Sequence, residues 1–213
     1  MEEGAIKFNL QYIIADLPDT VSLDELNRWR NKLWEKKLIG QDPGRYDGYG
    51  YGNVSQRIHT RQSARGQRAF VISGTQTGHL DSLDREHYTL VESYDTGRNT
   101  VVARGAVKPS SESLTHGMIY DMDERIHVVM HVHSPAIWRN ATILGIPATD
   151  AGFAYGTPGM AREVERLFNE SDVGDKRILS MGGHLDGIVS FGNTAMRRAR
   201  CCCTHLQPAN DYK

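Results

Sequence analysis

No stretch of this 213-residue chain approaches the roughly 18 consecutive apolar residues that a membrane-spanning helix needs. The opening MEEGAIKF also lacks the basic and apolar regions of a secretory signal, so a soluble, cytoplasmic protein is expected. Cysteine is scarce and badly spaced for cross-linking, since all three, Cys201 to Cys203, are adjacent. Such a run supplies no disulfide framework, and it lacks the CxxC spacing of a structural zinc site and the CaaX ending of a prenylated tail. A surplus of one charge is missing too: 25 Lys and Arg stand against 26 Asp and Glu, for a formal charge of -1. With both signs spread along the sequence, no electrostatic footprint invites nucleic acid or an anionic membrane, and the expected partner is a small molecule or a protein. Internal repeats and low-complexity linkers are absent as well. The length and 39% hydrophobic content suit a single buried core, placed here over residues 1–200, with 201–213 as an irregular tail.

What is present divides by period. Residues 22–38 predict an amphipathic helix, with Leu23, Leu26, Trp29, Leu33, Trp34 and Leu38 mostly on one stripe. Ser22 with Glu25 has the spacing of a capping box, and Gly40 suits the exit. The stretch GRYDGYGYGN, residues 44–53, places four glycines among aromatics, as in a loop that approaches something closely or a long surface turn. From Val54 the pattern turns to short extended runs, VSQRIHT, AFVIS, YTLVESY and NTVVAR. Helical signals return at SESLTHGMIYDM, at SPAIWRNATIL and at TPGMAREVERLF, where Ser134-Pro135 and Thr157-Pro158 have the N-cap and first-turn pairing. The strands RILSM and GIVSF then flank the turn GGHLDG, and NTAMRRAR predicts a short closing helix. The sum is an α/β domain of three layers, a central and mainly antiparallel sheet flanked by helices.

Three short stretches carry possible chemistry. In IHVVMHVH the period of two sends Ile126, Val128, Met130 and Val132 to one face and His127, Val129, His131 and His133 to the other. Same-face neighbours lie about 6.6 Å apart, and two imidazoles at that spacing can converge on one ion at about 2.0–2.1 Å. Taken alone the pair equally suits polar residues beside a core. KPSSES places Ser110 and Ser111 at a helix mouth and Glu112 in its first turn, which fits simple capping as well as a site. MGGHLDG puts His184 in a glycine-flanked turn, as at any hairpin tip.

Taken together, GNVS (52–55), ISGTQTG (72–78), KPSSES (108–113), HVHSP (131–135) and a late GGH (182–184) resemble the class II aldolase/adducin family over about residues 23–198. The resemblance implies that His131, His133 and His184 bind a divalent metal, usually Zn2+, and that Glu112 acts as the base and can also touch the metal. It matches Asn53, Thr75, Thr77, Gly78, Ser110 and Ser111 to elements that hold a substrate phosphate. Glycine-rich turns and a helix N-terminus do offer backbone N–H groups to an anion. The activity implied is an aldolase-type lyase acting on a small, phosphorylated sugar or hydroxy-carbonyl compound through a metal-stabilised enediolate, in a homotetramer. Family members also include epimerases, dehydratases and non-catalytic adducin-like modules, and both alternatives stay open here. The sequence departs from the aldolase pattern at GGHLDG, where Asp186 follows the histidine as a candidate to touch the metal or support its ligands, and at residues 147–156, a shorter segment in which Tyr155 is the candidate proton donor or the donor is missing.

Overall fold

The computed structural model describes residues 5–58 and 63–194. In chain order its elements are β1 (Asn9–Ile14), α1 (Asp24–Glu35), β2 (Gly40–Gln41), β3 (Gly50–Tyr51), β4 (Asn53–Arg57), β5 (Phe70–Ser73), β6 (Tyr88–Asp95) and β7 (Thr100–Gly105). These are followed by α2 (Ser113–Met122), β8 (Val128–His133), α3 (Pro135–Arg139), α4 (Pro158–Glu170), α5 (Val173–Lys176), β9 (Ile178–Ser180) and β10 (Gly187–Gly192). Among the described residues eight strands form one sheet in the order β1-β7-β6-β5-β4-β8-β10-β9, and β2 pairs separately with β3. Every neighbouring pair in the large sheet is antiparallel except β1 with β7.

Alternation along β8 divides the core in two. Val128, Met130 and Val132 pack with Leu26 and Leu33 of α1 and Ile137 of α3. Val129 faces the opposite layer, where Leu114 and Ile119 of α2 meet Val164 and Leu167 of α4. Helices on both sides of the sheet therefore make the three layers expected of a single α/β domain. Ile126 is a correction: it belongs to the second cluster, because the strand starts at Val128 and the Ile126 N–H turns back to the Asp123 carbonyl at 3.0 Å.

The ends of elements depart from expectation more than their centres. Helix α1 is shorter than residues 22–38, and its capping box does not form, since Ser22 donates instead to the Asp24 carboxylate at 3.2 Å. Its exit is made by Lys37 at φ 56°, not by Gly40; the amides of Leu38 and Ile39 then fold back on the Leu33 carbonyl. Helix α3 stops at Arg139, where the Asn140 side chain takes the Ala136 carbonyl at 2.8 Å and turns follow. By contrast Ser134 and Thr157 cap α3 and α4 through the amides of Ile137 and Met160, as their sequences predict. Strands β1, β2 and β3 and helix α5 are additions to the elements expected from the sequence. The closing helix expected over 193–200 and the tail 201–213 lie almost wholly outside the described residues.

Candidate metal centre and adjoining pocket

Strand β8 lies inside the sheet, between β4 and β10, so its histidines are enclosed on both sides by backbone. His131 stands opposite Asn53 of β4 and Val189 of β10, and His133 opposite Gly187. Both share the side of Val129. The turn from β9 to β10 then brings His184 back over them, with its amide bonded to the Met181 carbonyl at 3.2 Å and its carbonyl to the Gly187 amide at 2.9 Å. Two glycines make that turn possible: a Cβ on Gly182 would sit 2.3 Å from the Thr149 carbonyl oxygen, and one on Gly183 would sit 1.9 Å from that of Phe153.

The metal-ligating atoms of His131, His133 and His184 lie within 4.8 Å of one another. Nε2 of His131 and Nε2 of His133 are 3.0 Å apart, so both lone-pair nitrogens point at one region. Glu112 completes the group, with Oε2 at 3.1 Å from His131 Nε2 and Oε1 at 3.2 Å from His184 Nδ1. Asn53 donates its amide to Glu112 Oε2 at 2.8 Å. All of these side chains are buried. Burial alone would raise the Glu112 carboxyl, but His131, His184 and the Asn53 hydrogen bond outweigh it and hold Glu112 well below the usual carboxylate range. Burial also pushes the His133 imidazole well below its ordinary value, and His184 and His131 push the same way. Three imidazoles gathered round a carboxylate are the donor set that a divalent cation takes, and two imidazole nitrogens aimed at each other in a buried site fit one.

The phosphate-holding residues expected from the sequence line one small polar pocket beside Glu112. Asn53, Thr75, Thr77, Gly78, Ser110 and Ser111 all border it, with Gly74 and Gln76 of the same 72–78 stretch, and so do Gly50 and Gly52, which are not among the residues expected there. Details differ from expectation. Glu112 occupies the N-cap position of α2 rather than its first turn, and its side chain makes no cap bond because it reaches the histidines. Ser110 Oγ instead accepts the Glu112 amide at 3.4 Å. Thr77 donates its hydroxyl to the Gly74 carbonyl at 2.9 Å, so that hydroxyl shapes the turn, while Thr75 is half-buried at the pocket.

Aromatic rings close the other side of the cluster. Tyr46 meets His133 edge-on at 4.6 Å between centroids, and Tyr51 lies 5.3 Å from the same ring. Tyr155 stacks on His184 at 4.4 Å. Tyr155 is a candidate from the sequence; Tyr46 and Tyr51 are not, although their alternation with glycine suggests a closely approaching loop.

A mainly antiparallel sheet between two helical layers, with two strand histidines, a turn histidine and a helix-mouth glutamate gathered where they could hold a metal ion, defines a class of α/β domains. The chain belongs to the class II aldolase and adducin N-terminal domain family, whose model matches residues 44–200. Solved structures agree on the fold. L-fuculose 1-phosphate aldolase superposes with a TM-score of 0.60 at 16% identity, covering 93% of this chain and 90% of that one. YgbL from Escherichia coli gives 0.60 at 16%, covering 89% and 86%. The N-terminal class II aldolase domain of a protein from Thermoplasma acidophilum gives 0.58 at 18%, covering 93% and 96%. No curated protein sequence matches the chain. No helix among the described residues is long and apolar enough to cross a membrane.

Proposed function

We propose that this protein is a divalent-metal-dependent lyase of the aldolase type, acting on a small phosphorylated or polyhydroxylated carbonyl compound. The observation that carries the reading is the convergence of His131, His133, His184 and Glu112 beside a pocket walled by glycine-rich turns and Ser110-Ser111. In this reading the three imidazoles hold the cation, zinc being the ion best suited to the nitrogen-rich set, and Glu112 stands at its edge. A bound cation would supply Lewis-acid polarisation of a carbonyl.

The chain's own residues do the rest. Glu112 is buried with its oxygens 3.1 and 3.2 Å from His131 and His184, the position of a group that takes up a proton beside the imidazoles. Asn53 holds one of its oxygens and so aims the other. Backbone amides of Thr77 and Gly78, with the hydroxyls of Ser110 and Ser111, receive a phosphate, the amides of Gly74 and Thr75 being bonded to the His87 and Lys108 carbonyls at 2.8 and 2.9 Å, and the tyrosine rings exclude water. Resemblance to the family further suggests a homotetramer in the cytoplasm; Ile13 and Ile14, exposed on edge strand β1, offer apolar surface for assembly. Light scattering that finds a monomer at micromolar concentration refutes the tetramer.

Metal analysis and a substrate panel test the site. Purified wild-type protein should carry about one divalent metal per chain, and His131→Ala or His133→Ala should strip it from a folded domain. Metal-loaded protein incubated with ketose phosphates should release an aldehyde; stereochemical change or loss of water instead would identify an epimerase or a dehydratase. Equal metal content in wild type and both variants refutes the ligand assignment.

A further inference from the structure

Tyr46 and Asp186 lie 140 positions apart, yet the Tyr46 hydroxyl donates to Asp186 Oδ2 at 2.7 Å. Arg45 Nη2 donates to the same phenol oxygen at 2.6 Å. Asp186 is 5% exposed, and its other oxygen, Oδ1, has no hydrogen-bond partner among the described residues. The Asp186 carbonyl accepts the amide of Ser134, the residue after His133, at 2.8 Å. One contact thus ties the 44–53 loop to the β9–β10 turn directly over a candidate ligand.

Both ends of that contact adopt backbone conformations that side-chain-bearing residues avoid. Tyr46, Asp47 and Asp186 have φ of 51°, 55° and 62°. Such conformations persist only where the surroundings enforce them, and they gather at functional sites. Simple loop packing accounts for the Tyr46 ring but not for Asp186, because a buried carboxylate with one open oxygen is a costly way to anchor a surface loop. Beside a cation-binding cluster its charge is favourable instead.

We propose that Asp186, acting through Tyr46, is a positioning residue of the metal centre: it presses the Tyr46 ring against His133, orienting that imidazole and closing the cluster to water. The inference rests on the reading of His131, His133 and His184 as metal ligands. Arg45 braces the phenol from the far side, with its guanidinium 4.9 Å from the centroids of both Tyr46 and Tyr51. When the Tyr46–Asp186 bond is removed, the loop relaxes out of its left-handed turn and the His133 ring gains freedom. The effect falls on coordination geometry and on the rate of metal loss.

The test loads the full chain with Co2+, whose visible absorption reports coordination geometry, and follows its loss to excess chelator in wild type, Tyr46→Phe, Asp186→Ala and Asp186→Asn. Tyr46→Phe keeps the ring, and Asp186→Asn keeps an acceptor oxygen. Tyr46→Phe and Asp186→Ala should alter the spectrum and speed cobalt loss by roughly tenfold to a hundredfold, while Asp186→Asn recovers most of the wild-type rate. A wild-type spectrum and rate in Tyr46→Phe overturn the inference, and so does a lowered melting temperature with both unchanged. Wild-type protein that takes up no cobalt overturns the metal reading and this inference with it.

Discussion

Replacing Gly183 by alanine probes the metal centre without touching a ligand. The added Cβ would lie 1.9 Å from the Phe153 carbonyl oxygen, 2.6 Å from its carbon and 3.2 Å from the Ala151 oxygen. Real Cβ contacts stay beyond 3.0 Å, so one side must retreat by about 1 Å. The obstacle is backbone, and it cannot swing aside as a side chain would. It also belongs to the loop that carries Tyr155, whose ring stacks on His184 at 4.4 Å. Relief therefore moves His184 relative to Tyr155 and to Glu112, now 3.2 Å away. Overpacking of this kind costs about 1–3 kcal/mol. Metal sites tolerate only about 0.2 Å in ligand distance, so affinity should fall by at least roughly tenfold to a hundredfold. Urea unfolding of metal-free protein measures the first effect and competition with a chelating dye the second. Gly174→Ala is the control: it sits within α5, and the nearest atom to its Cβ is Phe168 Cδ1 at 4.0 Å. That change should leave metal affinity alone and stabilise by up to about 1 kcal/mol. If Gly183→Ala behaves like Gly174→Ala in both assays, the close approach of the two loops does not position His184.

Glu112→Gln keeps shape and an acceptor for Asn53, so metal should largely remain while turnover of an identified substrate falls by roughly two to four orders of magnitude; unchanged turnover at full occupancy removes Glu112 from the chemistry. Leu33→Ala, at a fully buried position between α1 and the sheet, should cost about 2–5 kcal/mol in denaturant unfolding, and a loss under about 1 kcal/mol would mean the site collapses to fill the void. In metal-free protein the His116 imidazole is pushed down to about 3, chiefly by burial, with Glu112 opposing and His131 adding to the shift. The unfolded chain titrates this group near ~6.5 and so binds the extra proton between the two values. Its contribution is thus intact above about pH 6.5 and declines as pH falls toward 3. Unfolding free energies over this window should slope less steeply in His116→Gln than in wild type; parallel slopes would refute the assignment.

Features set by neighbours in the chain are legible in the order of the residues alone. The two-residue period of VVMHVH sorts Val128, Met130 and Val132 from Val129, His131 and His133 because successive strand side chains must alternate. Ser134-Pro135 and Thr157-Pro158 start helices as their pairing predicts, since each cap needs only an amide three residues on. The same local reasoning fails at Ser22 and Gly40, where Asp24 and Lys37 offer equally local alternatives and packing of α1 on the sheet chooses between them. Strand β1 is hidden from the sequence because its exposure pattern lacks strict alternation and its place is decided by pairing with β7, about 90 residues away. His184 is recognisable as a candidate, but only the β9–β10 turn, packed glycine against backbone on the Phe153 loop, brings it to Glu112. The sequence marks the 44–53 loop and Asp186 separately, but nothing in it pairs Tyr46 with Asp186. Hydrogen bonds and periodicity within a few residues are written in the order of the amino acids, whereas the meeting of positions 46, 112, 131, 133, 184 and 186 is the outcome of many weak packing contacts that exist only once the sheet has closed.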